Sequence, residues 1–134
     1  MLDKDKKEML LSRARAARER SYSPYSHFSV GAALLTADGR VFEGCNVENA
    51  AFTPTCCAER VAFFGAIYDG ARDFSAIAVV GNTTPCMPCG VCRQVMSEFC
   101  QNDFEIIFED TDGKAGLLTL GELLPYSFKS EEKK

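Results

Sequence analysis

The chain has 134 residues, 46% of them hydrophobic, which suffices for one hydrophobic core and leaves no room for a second domain. Its formal net charge is −4, so it lacks the basic field that attracts phosphate backbones, and we expect a small-molecule partner and no nucleic acid. No stretch is long and apolar enough to cross a membrane, and residues 1–8 are too charged for a secretory signal, so we expect no membrane partner and a cytoplasmic location.

The amino-terminal half predicts a helix followed by a β-hairpin. Apolar residues recur every three or four positions from 4 to 20, which is typical of an amphipathic helix, and Ser-Pro-Tyr-Ser at 23–26 ends it. Two apolar stretches follow, at 28–35 and 41–47. The Asp-Gly within residues 37–40 favours a tight turn between these two strands.

The second half of the chain alternates helices with strands. Residues 57–68 and 90–99 predict two buried helices, and the nearly all-apolar run at 74–80 is typical of a central strand covered on both faces. This order predicts an α/β fold of three layers, α-β-α, with a mixed five-stranded sheet between the helices, in one domain spanning 1–134. The other predicted segments are strands at 105–109 and 116–118, a short helix at 119–124, loops at 46–56 and 82–88, and a flexible tail at 129–134.

Three of the seven cysteines have the spacing of a metal site. Cys89 and Cys92 form a Cys-x-x-Cys pair at the start of one predicted helix, and Cys57 is expected in the first turn of the preceding helix. A structural zinc site closes with four protein ligands, whereas a catalytic site keeps three and leaves a position for water. Three thiolates with Glu59 beside them therefore indicate a catalytic centre, in which Glu59 is the general base.

Several motifs resemble those of the cytidine deaminase superfamily. Cys-Ala-Glu-Arg at 57–60, followed by Pro-Cys-x-x-Cys at 88–92, is similar to its three-cysteine zinc signature with a non-ligand glutamate. Residues 23–35, 46–50 and 122–128 resemble the opening, nucleoside-binding and carboxyl-terminal motifs of the small tetrameric nucleoside deaminases. The resemblance covers nearly the whole chain.

The resemblance implies one Zn²⁺ per subunit, bound by Cys57, Cys89 and Cys92. Zinc lowers the pKa of a bound water, and Glu59 would pass that proton to ring nitrogen N3 and a second one to the amino group. The implied reaction is the hydrolytic deamination of free cytidine and deoxycytidine to uridine and deoxyuridine, with release of ammonia, in pyrimidine salvage.

Three thiolates would leave a net negative charge on the zinc centre, which raises the pKa of its water. Two helix amino termini directed at the sulfurs would offset this charge. Arg60 and Gln94 are placed to donate hydrogen bonds to the thiolates, and the resemblance implies the same role for both.

The resemblance also implies how the nucleoside is recognised. It assigns the ribose 3′-hydroxyl to Asn46 and Glu48, the pyrimidine edge to the backbone of Ala58, and ring stacking to Phe28. A buried carboxylate–amide pair left without the sugar hydroxyl loses hydrogen bonds, so such a site rejects the free base.

A homotetramer with active sites shared between subunits is a further implication. Ala50, Phe52 and Phe128 would reach a neighbouring subunit's site, with Phe128 stacking on the base. Many relatives carry tyrosine at the Phe52 position, so a hydroxyl contact is missing in this chain.

Three other functions compete with this interpretation. A nucleic-acid-editing deaminase needs a basic groove and often a histidine ligand, whereas this chain is acidic and offers Cys57. Deaminases of aminonucleoside antibiotics lack the Asn-x-Glu-Asn sequence present at 46–49. A non-enzymatic zinc module would close its site with a fourth thiol, such as Cys56 or Cys86.

Overall fold

In the computed structural model, which describes residues 2–132, five strands form one mixed sheet with the order β2-β1-β3-β4-β5. The β3–β4 pair is parallel and the other three pairs are antiparallel. The predicted α/β fold with a mixed five-stranded sheet is confirmed, and so is the central position of β3. The elements are α1 (Lys4–Arg18), β1 (Gly31–Thr36), β2 (Val41–Cys45), α2 (Ala58–Tyr68), β3 (Phe74–Val80), α3 (Gly90–Phe99), β4 (Glu105–Glu109), β5 (Ala115–Thr119) and α4 (Leu120–Leu123).

The sheet separates two hydrophobic clusters. Successive side chains of a strand point to opposite faces, so Ala33 and Leu35 of β1 pack against α1, whereas Leu34 packs against α2 and α3. Leu10 and Ala14 of α1 are fully buried on the first face. Helices therefore cover both faces, as the three-layer prediction required.

Helix α1 approaches the sheet backbone directly at Gly31. A methyl group at Gly31 would collide with the carbonyl oxygen of Ala14 and the backbone nitrogen of Arg18. Glycine at this position allows the end of α1 to lie against the start of β1. That contact fixes α1 relative to the loop that enters β1.

Strand β1 begins at Gly31, three residues later than predicted. The reason is the side chain of Asn46, which donates to the Phe28 carbonyl at 2.8 Å and accepts from the Val30 amide at 2.9 Å. These hydrogen bonds occupy backbone groups that strand pairing would otherwise use. Phe28 and Val30 thus belong to the wall of a cavity, and β2 ends at Cys45 instead of residue 47.

The two helices expected to be buried each expose apolar side chains. Phe64 and Tyr68 of α2 are 49% and 95% exposed, and Val91 of α3 is 58% exposed. The prediction of burial is therefore wrong for these faces of a single chain, because the sheet covers only the opposite faces. Phe63 of α2 and Met96 of α3 are fully buried.

Within residues 2–132, no helix combines the length and apolar character needed to span a bilayer. Residues 129–132 are exposed and belong to no helix or strand. The rest of the predicted tail, residues 133–134, lies outside the described residues, as does Met1, so the flexibility of the tail stays a prediction.

Candidate metal centre and substrate cavity

The amino termini of α2 and α3 bring three sulfurs together. Cys57 is the N-cap residue of α2 rather than a member of its first turn, Cys89 is the N-cap of α3, and Cys92 lies in the first turn of α3. The Sγ atom of Cys89 is 3.8 Å from that of Cys57 and 3.5 Å from that of Cys92. All three sulfurs lie within 4.8 Å of one another.

This triangle of sulfurs fits a tetrahedral zinc ion. Zn–S bonds of about 2.3 Å at tetrahedral angles separate the sulfurs by about 3.8 Å. Among the described residues, the cluster able to hold a metal contains only these three ligands and excludes Cys56 and Cys86. Three protein ligands leave one coordination position for water, which is the arrangement of a catalytic site.

The charge of the sulfurs is compensated within the same helix. Arg60, one turn after Cys57, donates from Nη2 to the Cys57 sulfur at 3.2 Å. The pKa of Cys57 is lowered to about 5 by the hydrogen bond from Cys92 and by Arg60, despite partial burial. The pKa of Cys92 is raised by its interaction with Cys57 and by burial.

Glu59 is a buried carboxyl group beside this centre. Its exposure is only 4%, and it lines the same cavity as Cys57 and Cys89. Burial raises the pKa of Glu59 to about 7. A carboxyl group with a pKa near neutrality can both accept and release a proton, which is the property of a general acid–base.

A cavity of about 390 Å³ opens in front of the metal centre. Its volume is within the range of small-molecule sites. The structure brings to its wall the predicted catalytic residue, the predicted substrate contacts of the chain's own site and two of the three metal ligands, whereas the third ligand, Cys92, is buried behind it. The predicted residues in the wall are Phe28, Asn46, Glu48, Cys57, Ala58, Glu59 and Cys89, and the wall also includes Ser26, Val30, Thr55, Cys56, Thr83, Pro85, Cys86 and Met87.

Asn46 and Glu48 are held in place by hydrogen bonds to the loop between α1 and β1. The Glu48 carboxylate accepts hydrogen bonds from the backbone amides of Tyr25 and Ser26, at 3.0 and 3.1 Å, and from the Ser26 hydroxyl. The Ser26 hydroxyl is the main reason that the pKa of Glu48 lies below its usual value. Glu48 is therefore an oriented, ionised acceptor at the cavity wall.

Four predicted site residues lie elsewhere in the single chain. Gln94 does not contact a thiolate: its Nε2 donates to the Phe128 carbonyl at 3.1 Å. The reason is helical geometry, because Gln94 follows Cys92 by two positions and so points about 200° away around α3. Ala50 is exposed, and Phe52 and Phe128 are 75% and 76% exposed, all outside the lining of the cavity.

Ser26 lines the cavity and contacts Glu48, a position that the sequence does not reveal. A serine that follows Ser-Pro-Tyr gives no local indication of its partner, since Glu48 is 22 residues away. The contact depends on a bridge between Tyr22 and Val47, which places the two loops side by side. Only the tertiary structure reveals this pairing.

Comparison with known proteins agrees with the geometry. Residues 4–108 match the family model of the cytidine and deoxycytidylate deaminase zinc-binding region. The chain is 48% identical over 126 residues to the cytidine deaminase of Sporosarcina psychrophila, covering 93% of each. It is 49% identical over 127 residues to the cytidine deaminase of Halalkalibacterium halodurans, covering 94% of this chain and 96% of that protein.

A solved structure is similar over the same length. The crystal structure of cytidine deaminase from Burkholderia pseudomallei superposes with a TM-score of 0.86 at 50% identity, covering 90% of this chain and 98% of that one. The fold and the three-thiol centre together define a zinc-dependent deaminase, a hydrolase. The chain belongs to the cytidine deaminase family. Zn²⁺ is its cofactor, and Cys57, Cys89 and Cys92 are positioned to bind it.

Proposed function

We propose that this enzyme deaminates free cytidine and deoxycytidine hydrolytically, giving uridine and deoxyuridine with release of ammonia. The observation that carries the proposal is the buried Glu59, whose carboxyl group opens onto the same cavity as the sulfurs of the metal centre. The relatives named as cytidine deaminases support it. The role we assign is pyrimidine salvage in the cytoplasm, where a reducing environment keeps thiolate ligands available.

Zinc, when bound, supplies the Lewis acid that makes water nucleophilic near neutral pH. Glu59 accepts the proton of the attacking water and delivers it to ring nitrogen N3, which makes C4 electrophilic. The C4–O bond forms, Glu59 takes the remaining proton of the added hydroxyl and transfers it to the amino group, and the C4–N bond breaks as the C4 carbonyl forms and ammonia leaves. The pKa of Glu59, raised to about 7 by burial, suits a group that must carry protons in both directions.

The cavity wall provides the contacts that select a nucleoside. Asn46 and Glu48 hydrogen-bond the ribose 3′-hydroxyl, the Ala58 backbone contacts the pyrimidine edge, and the Phe28 ring stacks on the base. Asn46 donates one amide hydrogen to the Phe28 carbonyl, so its second hydrogen is available for the sugar. Free cytosine lacks the sugar hydroxyl, forgoes its hydrogen bonds to Asn46 and Glu48, and is rejected.

We further propose a homotetramer in which neighbouring subunits complete each active site. Large apolar side chains are exposed on the single chain, among them Phe52, Tyr68 and Phe128. Exposed apolar surface of this kind marks an interaction site. Ala50, Phe52 and Phe128 then enter the neighbouring cavity, and Phe128 stacks on the base there.

An ultraviolet and ammonia-release assay tests the proposed reaction. The zinc-loaded protein should convert cytidine and deoxycytidine, leave cytosine unchanged, and lose its activity when a chelator removes the metal. An aminonucleoside antibiotic such as blasticidin S serves as the competing substrate. Failure of the zinc-loaded protein to release ammonia from cytidine would refute the proposal.

A further inference from the structure

Gly81, the residue after β3, lies next to two side chains of the cavity wall, Phe28 and Cys86. It is buried, and a methyl group on its Cα would lie 2.5 Å from Cys86 Sγ and 3.1 Å from Phe28 Cε1. Phe28 and Cys86 both line the cavity. Non-bonded carbon atoms prefer separations of about 3.5–4.0 Å. The two wall side chains therefore occupy the space that a side chain at residue 81 would need.

Glycine is required at residue 81 because a side chain has no space there, and not because of the backbone angles. Gly39, Gly70 and Gly113 are the described glycines with positive φ angles, and Gly81 is not among them. An alanine could therefore adopt the backbone conformation of Gly81 without strain. Only the contacts with Phe28 and Cys86 oppose it.

Hydrogen bonds hold the backbone around Gly81 in place. Arg18 donates from Nη1 to the Gly81 carbonyl at 2.6 Å, and the Asn82 side chain donates to the His27 carbonyl at 3.1 Å. His27 immediately precedes Phe28 in the chain. Since the backbone is tied to α1 and to the loop that bears Phe28, an added methyl group displaces the side chains of the cavity wall.

We propose that Gly81 is a positioning residue that sets the depth of the cavity at the base-binding end, acting through Phe28 and Cys86. The inference rests on the proposed function, in which Phe28 stacks on the pyrimidine. A side chain at residue 81 moves the Cys86 sulfur and the Phe28 ring toward the substrate. Because neither Phe28 nor Cys86 binds the metal or carries a proton in the proposed reaction, the change weakens ground-state and transition-state binding alike, which raises KM and preserves kcat.

The test is the Gly81→Ala variant of the full-length, zinc-loaded protein, measured in steady-state assays with cytidine. We expect KM to rise roughly tenfold, the effect of mild overpacking, while kcat stays within about twofold and the zinc content equals that of the wild type. Gly65→Ala is the matched control. It is a glycine-to-alanine change in α2 with no neighbouring atom within 4 Å of the added carbon, and both kinetic constants should be unchanged.

Rescue distinguishes this role from a general structural one. Cys86→Ala removes the sulfur at 2.5 Å and leaves Cys86 Cβ at 3.0 Å and Phe28 Cε1 at 3.1 Å, contacts that shifts of a few tenths of an ångström relieve. The Gly81→Ala/Cys86→Ala double variant should therefore have a KM within about threefold of the Cys86→Ala single variant. An unchanged KM in Gly81→Ala, or a raised KM that Cys86→Ala leaves unrestored, overturns the inference.

If Gly81→Ala does not fold, the double variant decides the question. A folded double variant with the KM of Cys86→Ala supports the role of Gly81, and an unfolded one contradicts it. A wild-type protein that does not deaminate cytidine defeats the proposed function instead, so the two failures are distinguishable.

Discussion

The Arg60 guanidinium donates to the Cys57 sulfur at 3.2 Å across one turn of α2. The metal ligand and its charge partner thus lie on the same helix, three positions apart, at an amino terminus whose dipole also favours the thiolate. This arrangement stabilises the negative sulfur without adding a fourth protein ligand to the metal.

The Arg60→Ala variant should retain its fold and its zinc but lose most of its turnover. Without the guanidinium, the sulfurs donate more charge to the metal and the bound water is less acidic, so we expect kcat to fall by roughly 10- to 100-fold. Steady-state kinetics and metal analysis check this. Arg13→Ala, which breaks an exposed ion pair with Glu43, should leave turnover unchanged. Wild-type activity in zinc-loaded Arg60→Ala would refute the charge-compensation argument.

Replacement of Glu59 by glutamine should abolish proton transfer and leave the binding of the nucleoside nearly unchanged. Glutamine keeps the size of the side chain but cannot carry the proton, so we expect kcat to fall by about 10²- to 10⁴-fold or more. Binding of uridine, measured by calorimetry, should change little. Glu43→Gln, at an exposed position of β2, is the matched control and should retain full activity. If Glu59→Gln kept more than about a tenth of the activity, another group would have to be the proton carrier.

Substitution of individual cysteines should distinguish those that bind the metal from the neighbouring ones that do not. Cys57→Ser, Cys89→Ser and Cys92→Ser should each lower the zinc content and remove activity, because a zinc site with two remaining thiolates binds the metal poorly. Cys56→Ser should bind zinc as the wild type does, since Cys56 lies outside the cluster of three sulfurs. Metal analysis of the purified variants decides the point. Loss of zinc from Cys56→Ser would indicate a fourth ligand.

The pH dependence of uridine binding should report on Glu48. The hydrogen bond from Ser26 holds the pKa of Glu48 below its usual 4.5, so the carboxylate stays ionised, and binding stays strong, as the pH falls to 4.5. The contribution of Glu48 to binding is lost only as the pH falls through the lowered pKa. In Ser26→Ala the pKa moves up toward the usual value, so the affinity for uridine should begin to fall at a higher pH.

Uridine suits this measurement because its base does not take up a proton in the acidic range. The exposed Ser12→Ala change serves as the control and should give the wild-type profile. Identical profiles for Ser26→Ala and the wild type would contradict the proposed role of the Ser26 hydroxyl.

Shared active sites predict complementation between two defective chains. Phe128→Ala should raise KM roughly tenfold, the contribution of one stacked aromatic ring. Co-expression of Phe128→Ala with Glu59→Gln should restore a population of sites with normal KM, because an intact Glu59 subunit receives Phe128 from its neighbour. Sedimentation should show a tetramer. Two additive defects without any normal-KM component, or a fully active monomer, would refute the shared site.

The sequence alone was sufficient to predict those parts of the fold that depend on residues close together in the chain. The Asp-Gly at 38–39 predicted the hairpin between β1 and β2, and Leu10, Ala14 and Ala17 predicted the buried face of α1. The exact start of β1 was not predictable, because it depends on Asn46, whose side chain lies 16 residues from the Val30 amide that it binds. The proposed thiolate contact of Gln94 failed for a simpler reason, since two positions along a helix turn a side chain to another face.

The sequence by itself determined the chemistry of the centre. Cys-Ala-Glu-Arg and Pro-Cys-x-x-Cys specify the ligands and a nearby carboxylate, because capping positions and the helical repeat are local properties of the chain. The tertiary structure alone decided that Cys57 and Cys89, 32 residues apart, meet with their sulfurs at 3.8 Å. It also decided that Glu59 is buried enough for a pKa of about 7, since desolvation depends on which distant segments pack around a group.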